Sequence, residues 1–281
     1  VSVPTSAPVA RPVPGRARMS PRRRARISRS VQYALLVVAL LALALAMDWD
    51  RIGENIFNVD AAKALLPDLP GAFLNTITYT LSAFAVGLSL GTVLALMRLS
   101  SVAPYRWIAT AYIEFFRGIP ALLVVFSFGY AVPIALGVRI DSLVLKVALA
   151  LGMVAAAYIA ETIRAGIQAV PPGQVEAARS LGMSHGRTLV TVVIPQAFRI
   201  VLPPMTNEIV LLTKDTSLVF ALGLMSTQLD LTRVGRDALN SASGGGLTGL
   251  FVVGLCYLAI TIPLGLVARW LERRTGKGAR S

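Results

Sequence analysis

Residues 171–195 read PPGQVEAARSLGMSHGRTLVTVVIP, a polar island between long apolar segments. Pro171-Pro172-Gly173 is a turn signal. The run Gln174–Leu181 suits a short helix, with Val175, Ala178 and Leu181 apolar at i, i+3 and i+6. Gly182 is placed to stop that helix and Ser184 to cap the next one. On periodicity alone this is an amphipathic loop between two larger elements, and its surroundings decide what kind.

The chain has 281 residues, of which 55% are apolar and 15% charged. Soluble domains carry about 25% charged residues, so the composition points to a membrane protein. The net charge of +13 gathers in the two tails and in loops between apolar runs, which is the positive-inside pattern. No nucleic-acid partner is expected on that distribution, although a Lys/Arg run by itself leaves a basic RNA-binding tail open. Cys256 and His185 are the only residues of their kinds. A disulfide within the chain is excluded, and neither a metal site nor histidine-based catalysis is expected.

Eight arginines and no acidic residue fall within 1–30. This reads as a disordered basic cytoplasmic tail touching anionic lipid. Residues 31–47 form a first apolar span, an extra transmembrane helix preferred over a cleaved signal peptide because the run is long. An acidic linker, 48–73, follows on the outside. Further spans are expected near 74–97, 119–137, 142–164, 205–224 and 247–268. The first of these carries Gly87 and Gly91, a small-xxx-small pair that permits close helix approach. A segment opening at Pro104 mixes aromatics with Arg106, Glu114 and Arg117 and reads as interfacial. Arg199, Pro203 and Pro204 interrupt the pattern before the fifth span. The fold class is therefore an all-α membrane protein with six transmembrane helices. That count puts both termini and the loop at 165–187 in the cytoplasm.

Lys214-Asp215-Thr216-Ser217 lies inside the fifth span. An ionised side chain at the bilayer centre costs about 2.5–3.5 kcal/mol or more, so such groups face a partner, a cavity or a substrate. Adjacent helical residues point about 100° apart, so Lys214 and Asp215 face different surroundings. Ser and Thr satisfy backbone groups where a membrane helix breaks, and broken helices recur at transporter sites. A structural ion pair between helices explains the same cluster.

Several stretches match in order and spacing: Asn75-Thr76; Tyr112–Pro120, YIEFFRGIP; Ala157–Gly166, AYIAETIRAG; Val170–Ala178, VPPGQVEAA; Pro195-Gln196-Ala197; Asn207-Glu208; and Lys214–Leu218, KDTSL. Together they resemble the permease subunits of polar amino acid ABC importers, over residues 71–275. The resemblance implies a type I importer fold, with two permease subunits around a pathway, ATPase subunits on the cytoplasmic side and an extracytoplasmic binding protein. It makes 171–195 a cytoplasmic coupling helix, with Gln174, Glu176, Ala177, Ala178, Arg179 and Gly182 meeting the ATPase. Val175, Ala178 and Leu181 would form its apolar docking face. It makes Asn207, Glu208, Lys214, Asp215, Thr216 and Ser217 candidates for substrate binding, and Glu161, Arg164 and Arg117 gating or structural groups. The permease is not expected to be an enzyme. ATP and Mg would be bound by the partner, and no phosphate-cradling G-x-x-x-x-G-K-[ST] run occurs.

Ile119 stands where the family more often has Thr, and its members usually have five spans and an outer N-terminus. The extra front segment resembles the longer permease of actinobacterial glutamate uptake systems. Glutamate is the expected substrate, with glutamine or another polar amino acid next, and a heteromeric permease pair is expected. The rival class is an ATP-independent channel or secondary carrier for a small polar solute.

Overall fold

The computed structural model describes residues 21–222, 228–241 and 246–276. Among them every regular element is helical. The chain divides into two units, Val1–Ile52 and Gly53–Ser281.

In the first unit, α1 (Pro21–Ala46) is an uninterrupted 26-residue helix. It begins ten residues before the expected span, so 21–30 is helical rather than disordered. Arginine is a good helix former, and Pro suits a first helical turn. The remainder of the expected tail, 1–20, lies outside the described residues. The indole of Trp49 turns back to donate to the Ala44 carbonyl at 2.8 Å, and Arg51 pairs with Asp48 at 2.9 Å.

The expected linker 48–73 is also largely helical. It holds α2 (Trp49–Ile56) and α3 (Val59–Leu65). Asn58 caps α3, its side chain accepting from the amides of Asp60 and Ala61.

The second unit is built on α4 (Leu69–Leu99) and α8 (Leu143–Gln168). Gly87 and Gly91 on α4 meet Gly152, Ala155, Ala156 and Ile159 on α8. These small residues let the two backbones approach closely, as the Gly87–Gly91 pair predicts. Tyr79, Ala83, Val147 and Leu151 complete the core between them.

After α5 (Ala103–Gly118) the chain breaks at Ile119-Pro120. It continues as α6 (Ala121–Phe126), a π-helical turn (Ser127–Ala131) and α7 (Val132–Leu136), bent 105° from α5. Then α9 (Pro172–Ser180) and α10 (His185–Thr188) lead through a second π-turn, Leu189–Val193, into α11 (Ile194–Asp215) and a 3-10 segment, Thr216–Leu222. The expected interruption at Pro203-Pro204 is absent, and helix runs without a gap from His185 to Leu222. A proline loses one backbone hydrogen bond, but its fixed φ of about −65° is a helical value. Packing against α8 and α13 (Thr248–Gly276) holds α11 in line.

Five described helices are long and apolar enough to cross a membrane, and the bent pair α5/α6–α7 makes a sixth when counted as one span. The six-span reading holds in that form.

The end of the bundle opposite α9 is closed by α12 (Leu231–Leu239). Asn75 donates to the Leu229 carbonyl at 2.9 Å, and Tyr79 to that of Gln228 at 2.9 Å. The Thr76 hydroxyl accepts from the Leu231 amide at 3.2 Å. These contacts give Asn75 and Thr76 a structural task. Asp230 is buried and caps α12, accepting from the amides of Thr232 and Arg233. Burial pushes its carboxyl up to about 6 against those two bonds.

Candidate functional site

Glu208 and Asp215 are seven residues apart, two helical turns, so they share one face of α11. Both line a cavity of about 320 Å³ walled by Val154, Ala155 and Tyr158 of α8, Leu211 and Leu212 of α11, and Ile119 and Ala121 at the α5–α6 break. Asn207 and Lys214 form the neighbouring stripe and are exposed. The positive charge of Lys214 offsets part of the negative charge at Asp215. Two carboxylates against an apolar and aromatic wall suit an ammonium group carried on an aliphatic body.

Thr216 does not join them. It is fully buried, and its hydroxyl donates to the Thr213 carbonyl at 2.7 Å. The backbone tightens to 3-10 at this residue, and the hydroxyl serves that transition rather than the cavity. Ser217, half-buried in the same segment, is not among the cavity-lining residues. The structure therefore brings together Glu208 and Asp215 of the six expected residues. A larger groove of about 550 Å³, lined by residues such as Phe84, Ile163, Phe198 and Val201, contains no charged side chain.

A second polar cluster lies toward the α9 end of α8. The Glu161 carboxylate accepts from Arg98 of α4 on one oxygen and from Arg164 on the other, at 2.7 and 3.1 Å. Glu161–Arg164 is the expected pair. Arg98 is the basic residue in the last turn of α4, and its partner lies 63 residues away. Arg117 stacks over Tyr158, 5.7 Å from the ring centroid. Tyr158 thus touches both the cavity and the arginine cluster.

The expected coupling helix is α9. Gly182 has φ +84°, the left-handed conformation that glycine adopts without strain. It closes α9 with the Met183 amide bonded to the Ala178 carbonyl and the Gly182 amide to that of Arg179, a Schellman arrangement. The Arg179 guanidinium adds a bond to the Met183 carbonyl at 2.7 Å. Ser184 caps α10, accepting from the Arg187 amide.

Ala178 is buried, and Val175 packs with Val170, Val193 and Ala197 of the same chain. This corrects the expected docking face, because Val175 and Ala178 fasten α9 to its own subunit. Leu181, 84% exposed, is the apolar residue left to meet a partner, beside exposed Gln174, Glu176, Ala177 and Arg179. Gln196 at the start of α11 donates to the Gln174 side chain and to the Val192 carbonyl. Gln196 belongs to the Pro195-Gln196-Ala197 motif, and nothing local in that motif points to Gln174 as its partner.

The pattern of the family described as "Binding-protein-dependent transport system inner membrane component" matches residues 87–277. The chain belongs to that family, as the permease subunit of an ABC importer in the inner membrane. It is 38% identical over 205 residues to the "Probable glutamine ABC transporter permease protein GlnM" of Bacillus subtilis (strain 168), covering 73% of this chain and 92% of that protein. It is 35% identical over 222 residues to the "Glutamate/aspartate import permease protein GltK" of Escherichia coli O157:H7, covering 76% and 97%. A solved structure titled "Crystal structure of an amino acid ABC transporter with histidines" superposes with a TM-score of 0.68 at 32% identity, covering 77% of this chain and 97% of that one. Permease subunits of this family are not themselves enzymes, and ATP is hydrolysed by a separate subunit.

Proposed function

We propose that this chain is the permease of an ATP-driven importer that moves a polar amino acid into the cytoplasm by alternating access. The observation that carries this reading is the double placement of α11. Near one end Gln196 and Ala197 contact the coupling helix, and toward the other Glu208 and Asp215 line the cavity. The nineteen-residue interval from Gln196 to Asp215 spans about 28 Å at 1.5 Å per residue. A displacement of α9 by ATPase closure is thereby passed to the cavity wall.

Both termini are cytoplasmic on this reading. An extracytoplasmic binding protein delivers substrate, a related second permease completes the pathway, and ATP with Mg is bound by the ATPase subunits. On this reading exposed Asn207 and Lys214 would face the second subunit. Asp215 and Glu208 take the substrate ammonium. Glutamate is the first substrate by resemblance, its carboxylates requiring Lys214 or donors from the second subunit. The paired carboxylates favour a cationic amino acid as the second reading.

The test is ATPase activity of the whole complex in nanodiscs with its binding protein, adding glutamate, glutamine and arginine in turn. Stimulation by one of them identifies the substrate. Uptake that persists without any ATPase subunit would replace the importer by a carrier or channel.

A further inference from the structure

We propose that the first turns of α1 form a docking surface for the headgroups of anionic phospholipids, with Arg22, Arg26 and Arg29 as the contacting side chains. Three observations converge on this. The first is register. At about 100° per residue, positions 22, 26, 29 and 33 fall within a sector of about 60°. Arg22, Arg26, Arg29 and Tyr33 therefore make one exposed stripe. A disordered tail would offer no such face, and the continuous helix from Pro21 creates it.

The second is uncompensated charge. Arginine at a helix N-terminus opposes the macrodipole, and like charges at i, i+4 and i, i+3 repel. No acidic residue occurs anywhere in 1–47. The compensating negative charge is not supplied from this stretch. Phosphate groups supply it, and guanidinium binds them in bidentate fashion.

The third is depth. A 26-residue helix is about 39 Å long. The hydrocarbon core is about 30 Å thick, and about 40–45 Å with its headgroup layers. The helix stays apolar up to Ala46 at its other end, so the excess length falls at the arginine end. Arg29 and Arg26 extend their stems toward the boundary. An RNA would also meet the charge, but the apolar continuation of the same helix favours a bilayer.

The test uses the full chain extracted in mild detergent from vesicles of equal parts phosphatidylglycerol and phosphatidylcholine. After washing, the retained phospholipid is measured by mass spectrometry. Wild type should retain phosphatidylglycerol in several-fold excess, shrinking as salt rises. Arg22→Gln/Arg26→Gln/Arg29→Gln should approach parity at an unchanged melting temperature. If that variant does not fold, the three single Arg→Gln variants should each lower the excess stepwise. An unchanged excess in these variants, or retained RNA without phosphatidylglycerol enrichment, would overturn the proposal.

Discussion

Gly91→Ala tests the platform on which the candidate site stands. An added Cβ would lie 2.8 Å from Ile159 Cγ2 and 2.9 Å from the Ala156 carbonyl oxygen. Ordinary contact begins near 3.4 Å. The side chain of Ile159 is held in the core, and a helix carbonyl does not move alone. Relief therefore requires α4 and α8 to part by about 0.5 Å, and partial loss of contact forfeits a sizeable share of dispersion energy. Overpacking of this kind costs about 1–3 kcal/mol. Alanine recovers up to about 1 kcal/mol of helix propensity over glycine, leaving a net loss of about 0–2 kcal/mol. Gly254→Ala on α13 is the matched control, because nothing lies within 4 Å of its added Cβ. Thermal unfolding in one detergent should rank Gly91→Ala below wild type and Gly254→Ala at or above it. If Gly91→Ala melts with or above Gly254→Ala, the helices are not packed through that glycine and the reasoning fails.

Asp230 gives a pH signature. Its carboxyl is raised from 3.8 to about 6, so its contribution to stability is full below about pH 4 and is lost as pH rises through 6, by about 3 kcal/mol. Asp230→Asn keeps a capping side chain and should flatten the melting profile between pH 4 and 6 relative to wild type; parallel profiles would exclude the assignment. Glu161→Gln strands two half-buried guanidinium groups and should cost about 1–3 kcal/mol. Arg98→Gln should cost less, since Glu161 keeps Arg164; equal losses in melting experiments would contradict a shared carboxylate. Leu181→Asp should leave the melting temperature near that of wild type and uncouple ATP hydrolysis from uptake. Val175→Ala should lower stability through the contacts that seat α9, and the opposite pattern would restore Val175 to the docking face.

Local signals in the sequence translated well. The Gly87–Gly91 spacing marks a real close approach, and Gly182 and Ser184 end and start helices where capping rules place them. Glu208 and Asp215 share a face because helical period alone puts them there. What sequence did not disclose depends on partners far along the chain. Arg98 finds Glu161 across two helices, and nothing near Arg98 announces it. The inward turn of Val175 and Ala178 requires Val193 and Ala197, which periodicity cannot choose over an outside partner. Pro203-Pro204 reads locally as a break, yet tertiary packing carries the helix through.

The irregular backbone sits on either side of α11 rather than within it. A π-turn precedes Ile194, and a 3-10 segment follows Asp215. Both depart from the α hydrogen-bond pattern and are places where a helix yields. The 22 residues between them form one uninterrupted α-helix despite two internal prolines. A stiff rod between two compliant joints converts a local push into a shift of everything it carries. The expected coupling helix, α9, is fastened at the first joint, through Val175, Val193 and the Gln174–Gln196 bond. Glu208 and Asp215 are carried at the far end, Asp215 as the last α-helical residue before the second joint. A carboxylate on a freely moving loop would keep its hydration whatever α9 did. On the proposed mechanism, tilting of α11 would carry Glu208 and Asp215 into or out of the Val154–Tyr158 wall. Burial of charge, which costs several kcal/mol when uncompensated, then favours entry with a bound ammonium group over entry without one. The proposed exchange between states is thereby made sensitive to substrate by the same helix that senses the ATPase.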